Sequence, residues 1–297
     1  MAQPRTKPPW LKVRLPGSPR YHRIKRRARA LSLTTVCEEA RCPNIGECWG
    51  DGTATFMVMG DTCTRGCRFC AVKSLRRPPP LDPDEPRNLA RAIAEMELDY
   101  VVITSVDRDD LEDQGAAHFA ACVRETRAAT PGTLIEVLIP DFRGEVALVS
   151  EVVATQPDVV GHNVETVERL TSVVRDTRAG YRQSLQVLSA IKSLDPTRYS
   201  KSSLMLGVGE TEDEVLDTLR DLRAVDVDFL TVGQYLQPST RHLPVTSFVE
   251  PEVFDRIRDL GLEMGFKYVA SGPLVRSSYK AGEFFLREYL DEHRATA

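Results

Sequence analysis

Six short apolar runs, at residues 55–60, 100–105, 134–140, 158–162, 203–207 and 228–233, recur along the chain with helix-patterned stretches between them. Runs this short and this continuously apolar suit strands buried on both faces, and strands that alternate with helices build a parallel sheet. The helical stretches carry their own signals. Pro86 suits a first turn, and Leu89, Ile93 and Met96 follow at helical spacing. Thr211 and Glu214 form a capping box ahead of Val215, Leu216, Leu219 and Leu222, which share one face. Nearly every apolar run leads straight into polar residues: Thr104 and Ser105 with Asp107, Asp141, His162 and Asn163 with Glu165, Gly207 to Glu210, and Gln234. Barrel enzymes place their sites on such a ring of strand ends, and six units fall two short of closure. The expected fold is therefore α/β, a partial (β/α)6 TIM-type barrel over residues 53–272, in preference to a doubly wound open sheet.

Cysteine is the next constraint. Six of the seven cysteines fall in two groups of three: Cys37, Cys42 and Cys48 at C-x4-C-x5-C, and Cys63, Cys67 and Cys70 at C-x3-C-x2-C. Pro43, Asn44 and Gly46 make the first group a loop. A tight loop with three thiolates leaves one iron of a [4Fe-4S] cube open to bind a small molecule, whereas structural zinc takes four Cys or His ligands. The remaining cysteines and five histidines could still complete a zinc site, and an electron-transfer centre is the other alternative. Two separate three-cysteine clusters are the simpler arrangement. Cys122 lies in an apolar stretch and is expected to be a core residue.

Composition narrows the class. A chain of 297 residues with 42% hydrophobic content fills a core without disulfide staples. There is no apolar run of membrane length and no signal-like opening, so the expected setting is the reducing cytoplasm, where clustered cysteines serve metals or catalysis. The net charge of −4 hides an asymmetry. Residues 1–37 hold ten Lys or Arg and no acid, which leaves 29 basic against 43 acidic residues, a net −14, in the remainder. This arm lacks interleaved aromatics for base stacking, and its prolines oppose a transit-type amphipathic helix. Docking of a protein partner is its expected use, with neither nucleic acid nor membrane as a target.

Phe69, just before Cys70, resembles the aromatic of the radical S-adenosylmethionine (SAM) signature. The two cysteine groups in their context, from Val36 to Trp49 and from Gly60 to Cys70, resemble those of the lipoyl synthase family. Further matching stretches are Lys7-Pro8-Pro9-Trp10, Thr104 to Leu111, Ile139 to Phe142, His162 to Thr166, Gly207 to Thr211, Gln234 to Leu236, and Arg276-Ser277-Ser278-Tyr279. Other radical SAM enzymes with an auxiliary cluster, such as methylthiotransferases or biotin synthase, lack this pairing of cysteine loop and terminal motif. A two-cluster electron carrier has no need of six βα units.

The resemblance implies sulfur insertion at C6 and C8 of an octanoyl chain on a lysine. In the family one [4Fe-4S] cluster, here on Cys63, Cys67 and Cys70, cleaves SAM to a 5′-deoxyadenosyl radical. A second [4Fe-4S] cluster, here on Cys37, Cys42, Cys48 and the oxygen of Ser278, gives up the sulfurs. For SAM, Asn163 and Glu165 suit the ribose or amino acid part, Thr104 and Ser105 the polar end, and Gly207 and Gly209 close approach of backbone to adenine. Each also has an ordinary reading as a turn residue, a helix-start charge or a strand residue. The implied partners are octanoylated lipoyl carrier domains, on 2-oxoacid dehydrogenase E2 subunits and the glycine cleavage H protein. An electron donor such as ferredoxin or flavodoxin and an iron-sulfur carrier for cluster repair complete the set. Residues 1–52 and 273–297 are the extensions expected to carry the auxiliary cluster.

Overall fold

Seven parallel strands follow one another in chain order across one sheet: β1 (Thr53–Val58), β2 (Tyr100–Ser105), β3 (Leu134–Leu138), β4 (Val159–Gly161), β5 (Tyr199–Leu206), β6 (Phe229–Gln234) and β7 (Tyr268–Gly272). The computed structural model describes residues 7–12, 17–31, 33–39, 42–50 and 52–278. Helices α2 (Glu85–Met96), α3 (Ala116–Ala129), α4 (Val146–Val153), α5 (Tyr181–Leu194), α6 (Glu212–Ala224) and α7 (Pro251–Glu263) lie between the strands. A helix α1 (Pro19–Ala30) precedes the sheet. Strictly sequential parallel neighbours joined by helices are the connectivity of a TIM-type barrel. The barrel stays open: β7 pairs only with β6 among the described residues, and β1 is flanked by the antiparallel pair Thr34–Thr35.

The seventh strand goes beyond the six units expected. Its sequence, Tyr-Val-Ala-Ser-Gly, ends in three residues that are weak strand formers, and only pairing with β6 recruits it. Strand β5 also starts four residues ahead of the apolar run, at Tyr199, because the polar stretch Ser200 to Ser203 is buried and satisfied by its neighbours. Ser200 N–H donates to Asp228 Oδ2 at 2.9 Å, and Ser202 Oγ accepts from Val164 N–H at 3.2 Å.

The helices form where their patterns place them. Helix α2 buries Pro86, Leu89, Ile93 and Met96, and α6 opens on the Thr211–Glu214 capping box and buries Val215, Leu219 and Leu222. Glu85, at the start of α2, accepts from Met59 N–H at 2.8 Å and contacts His118 Nε2 at 2.6 Å, which fixes the direction in which β1 leaves the sheet. In α1, Tyr21, Ile24 and Ala28 are buried, Tyr21 packs against Trp49, and Arg23, Arg26, Arg27 and Arg29 face outward. All seven cysteines are free thiols, and Cys122 is fully buried. No helix among the described residues is long and apolar enough to cross a membrane.

Side chains alternate across the sheet, so register sorts them onto two faces. Ala54, Phe56, Val101, Ile103, Val137 and Leu230 belong to the large core that includes the helices. The other face carries Thr53, Thr55 and Met57, Tyr100, Val102 and Thr104, Glu136, Gly161, Lys201 and Ser203, Thr231 and Gly233. Deep on that face Lys201 Nζ lies 2.8 Å from both oxygens of Glu136, and Tyr100 OH donates to Glu136 Oε2 at 2.5 Å. All three residues are buried, so the charges balance only as a pair. Lys201→Met strands the carboxylate and is expected to cost about 3–5 kcal/mol in urea unfolding. Adding Glu136→Gln should recover most of that loss. Additive losses in the double variant would show that the two residues are not a pair.

Candidate active site

Chain leaving β1 forms a small parallel ribbon, Thr62–Cys63 with Lys73–Ser74, and between its arms lies the loop that carries Cys63, Cys67 and Cys70. Arg65, inside that loop, is buried and anchored on all sides by carboxylates from the strand ends. Its Nε and Nη2 each lie 2.9 Å from Asp109, its Nη1 and Nη2 lie 2.6 and 2.8 Å from Asp141, and Asp107 is 3.3 Å away. The first and third of these acids follow β2, and Asp141 follows β3. The planar guanidinium fork suits two bidentate partners at once.

The rest of the loop is tied down by backbone. Thr64 N–H donates to Asp107 O, Gly66 N–H to Asp176 Oδ2, Arg68 N–H to Val174 O, and Leu243 N–H to Arg68 O, at 2.8–3.0 Å. Chain segments after β2, β4 and β6 therefore all grip it. Cys63 Sγ accepts from Arg65 N–H and Asp107 N–H, and Cys67 Sγ from Asp176 N–H, each at 3.3 Å. Backbone donors aimed at sulfur are the environment that stabilises a thiolate-bound iron-sulfur cluster. Burial pushes Cys63 and Cys67 up to about 12 and Cys70 upward too, so the free thiols hold their protons at neutral pH and cationic iron must displace them. Burial also pushes Asp107 up to about 6 against the pull of Arg65. Asp109, although burial opposes it, is held down to about 2 by hydrogen bonds from Arg65 and Thr64.

The second cysteine group converges with the far end of the chain. Cys37 lies on the short helix Val36–Glu39, Cys48 on Ile45–Gly50, and Cys42 between them donates its N–H to Cys37 O at 3.0 Å. The three cysteines line one small cavity with Asn44, Thr55, Arg276 and Ser278. Ser278 Oγ accepts from Thr55 Oγ1 at 2.9 Å, and Asn44 Nδ2 donates to Leu274 O at 2.7 Å. Three sulfurs, the hydroxyls of Thr53, Thr55 and Ser278, and no imidazole or carboxylate among the described lining residues suit an iron-sulfur cluster better than a hard cation. Burial raises the Cys42 thiol and lowers Arg276, and the two charges would offset each other. Gly233 on β6 is needed here, because a Cβ would lie 2.0 Å from Val275 O as the terminal segment crosses the strand. Tyr279 and the chain beyond it lie outside the described residues.

The remaining expected site residues are distributed unevenly. Asn163 Nδ2 donates to Glu165 Oε1 at 3.0 Å, and Glu165, in a left-handed conformation, is half-buried near Cys70, with its carboxyl raised by desolvation. Phe69 packs against the core. Thr104 is buried and its Oγ1 donates to Leu138 O at 2.9 Å, whereas Ser105 alternates to the opposite face with an unbonded hydroxyl. Gly207 is approached by the chain's own Gln234 and Ser247, which a Cβ would meet at 2.1 and 2.4 Å, while the space beside Gly209 is open apart from Thr246. Beyond these residues, the structure adds Arg175. It is buried, and its Nη1 donates to Ser184 Oγ at 2.8 Å and Val164 O at 3.3 Å, but no carboxylate lies within ion-pair distance among the described residues. Nothing in its local sequence distinguishes it from a surface arginine.

Comparison with known proteins agrees with this architecture. Residues 57–222 match the Radical SAM superfamily profile, and residues 2–42 match that of the N-terminal domain of lipoyl synthase of the Radical SAM family. A lipoyl synthase of Anaeromyxobacter sp. (strain Fw109-5) is 59% identical over 281 residues, covering 95% of each chain. The mitochondrial lipoyl synthase 1 of Pisum sativum is 55% identical, covering 99% of this chain and 80% of its own. Among solved structures, methylornithine synthase superposes with a TM-score of 0.54 at 13% identity, over 91% of this chain and 92% of that one, a likeness of fold.

His162 offers a test of how the site floor is built. It is buried between Ile139 O and Ser184 Oγ, each 2.9 Å from a ring nitrogen, and burial with repulsion from Arg175 pushes it down to about 4. The unfolded chain therefore takes up a proton below pH ~6.5 that the folded chain refuses until about pH 4, so this residue's stabilisation falls as pH drops through that window. The stability advantage of wild type over His162→Gln should be constant above pH ~6.5 and shrink by roughly 3 kcal/mol towards pH 4 in denaturant titrations. An advantage independent of pH would contradict a neutral buried imidazole.

Proposed function

Because the chain belongs to the lipoyl synthase family of the radical SAM superfamily, we propose how its own residues share the work of that reaction. Two sulfurs are inserted at C6 and C8 of an octanoyl chain carried on a lysine of a lipoyl carrier protein. Such C–H bonds offer no acidic proton, so carboxylate or histidine catalysis cannot activate them. A bound iron-sulfur cluster with SAM supplies one-electron hydrogen abstraction instead.

Cys63, Cys67 and Cys70 hold the cluster that binds SAM, and Arg65 fixes their spacing. Glu165 and Asn163 present polar groups to the SAM amino acid or ribose. Arg175 receives the SAM carboxylate, since this buried guanidinium has no carboxylate at ion-pair distance among the described residues and is short of a close anion. Gly209 leaves open space for adenine, Gly207 serves the fold around Gln234, and Thr104 lines the inner wall, while Ser105 faces the other side of the sheet. Cys37, Cys42, Cys48 and Ser278 would hold a second [4Fe-4S] cluster, which would serve as the source of sulfide. Serine oxygen is harder than thiolate and the poorer partner for iron, which suits a ligand that lets go.

The observation that carries this reading is the single cavity joining those three cysteines to Arg276 and Ser278. The basic outward face of α1 is assigned to docking octanoylated carrier domains, on E2 subunits or the glycine cleavage H protein. Ferredoxin or flavodoxin supplies electrons and an iron-sulfur carrier rebuilds the second cluster. Clustered cysteines without disulfides need a reducing compartment, and we place the protein in the cytoplasm on that ground.

Anaerobically reconstituted protein should contain about eight irons per chain. Given SAM and reductant, it should convert an octanoylated carrier to one that has gained two sulfurs for two hydrogens by mass spectrometry. Zinc in place of iron, or no sulfur gain, would refute the reading. Ser278→Ala should lower product formation by roughly tenfold or more while leaving reductive SAM cleavage in place. Undiminished product would remove Ser278 from the ligand set.

A further inference from the structure

The loop that carries Cys63, Cys67 and Cys70 reaches solvent at Gly66 and Arg68. Among the described residues five large apolar side chains are exposed, and two of them, Leu75 at 54% and Val173 at 44%, border this loop. Both are joined to it by backbone. Leu75 N–H donates to Cys63 O at 3.0 Å, and Arg68 donates from its N–H to Val174 O at 2.9 Å and from Nη1 to Val173 O at 3.3 Å.

Arginines lie on the segments that carry and adjoin these two side chains. Arg68, Arg76 and Arg77 are exposed, and Arg178, 44% exposed, donates to Thr64 O at 2.8 Å. The acids alongside are already engaged: Asp61 with Lys73, and Asp176 with Arg178 and Gly66 N–H. Arg76 and Arg77 have no ion-pair partner among the described residues, and Pro78, Pro79 and Pro80 restrict the backbone that follows. On a body that is otherwise strongly acidic, a rigid cationic patch with an apolar centre marks a contact face for a partner of opposite charge.

We propose that Leu75, Val173, Arg68, Arg76, Arg77 and Arg178 form the docking face for a small acidic electron-carrier protein of the flavin or iron-sulfur kind. The proposal rests on the reading that this loop holds a redox-active cluster. The reduced carrier gives up one electron and the cluster takes it; no bond forms or breaks and no proton moves. Electron transfer weakens steeply with distance, and this face is where the loop comes nearest to solvent.

The test uses anaerobic holoenzyme with reduced flavodoxin and reduced ferredoxin as probes, following cluster absorbance by stopped flow. In Arg76→Glu/Arg77→Glu the second-order rate at low ionic strength should fall by about ten- to a hundredfold, and its salt dependence should flatten. Leu75→Asn should weaken the complex severalfold with an unchanged salt slope. Reduction by dithionite at high salt, and binding of an octanoylated carrier, should not change in either variant. Wild-type rates and salt slopes in both variants, or no saturable complex of wild type with either probe, would overturn the proposal. Selective loss of octanoylated-carrier binding would overturn it in favour of a substrate dock. Failure of the underlying reading would appear separately, as no iron on this loop in a variant with Cys37, Cys42 and Cys48 replaced by alanine.

Discussion

One buried guanidinium holds the site in register with the barrel. Arg65 sits between two cysteines and is matched by Asp107, Asp109 and Asp141 from two strand ends, so the loop cannot move without parting charges in a low-dielectric interior. Lysine has the charge but not the fork, and could satisfy one carboxylate at a time. The arrangement explains why the post-strand segments are so rich in aspartate: their carboxylates bind the chain's own loop.

Strand β1 links the two cysteine sites. Its Thr55 faces the cavity of Cys37, Cys42 and Cys48, and its exit, fixed by Glu85 at Met59 and Gly60, leads directly into the Cys63 loop. A strand paired along its length with β2 is a stiff spacer, so the distance between the two sites is set by sheet geometry more than by loop conformation. Met57, on the same face as Thr55, lies between them. Under the function proposed above, an acyl chain worked on from both sides would need such a fixed separation.

Periodicity made most of the barrel legible, because strands buried on both faces must be apolar throughout and helices must repeat at 3.6. Where burial is polar the signal inverts: Ser200, Lys201 and Ser202 fall outside the apolar run, yet they are core residues satisfied by Asp228, Glu136 and Val164. Lys201 and Glu136 are 65 residues apart, and no local pattern reports their pairing. Among site residues, cysteine spacing was readable because ligand geometry fixes it over a few residues. Arg65, Arg175 and the aspartates were not, since a buried arginine and an exposed one share the same letter and differ only in what the fold brings beside them. Gly207 also has a local reason to be glycine, because Gln234 and Ser247 of the chain itself crowd it.

The hydrogen bond between Thr55 and Ser278 spans 223 residues. All seven strands, the Arg65 anchor and the first cysteine loop lie upstream of residue 273. A chain shortened before residue 273 would therefore keep the strands, the Arg65 anchor and the loop carrying Cys63, Cys67 and Cys70, and would lack the wall that Arg276 and Ser278 give to the cavity of Cys37, Cys42 and Cys48.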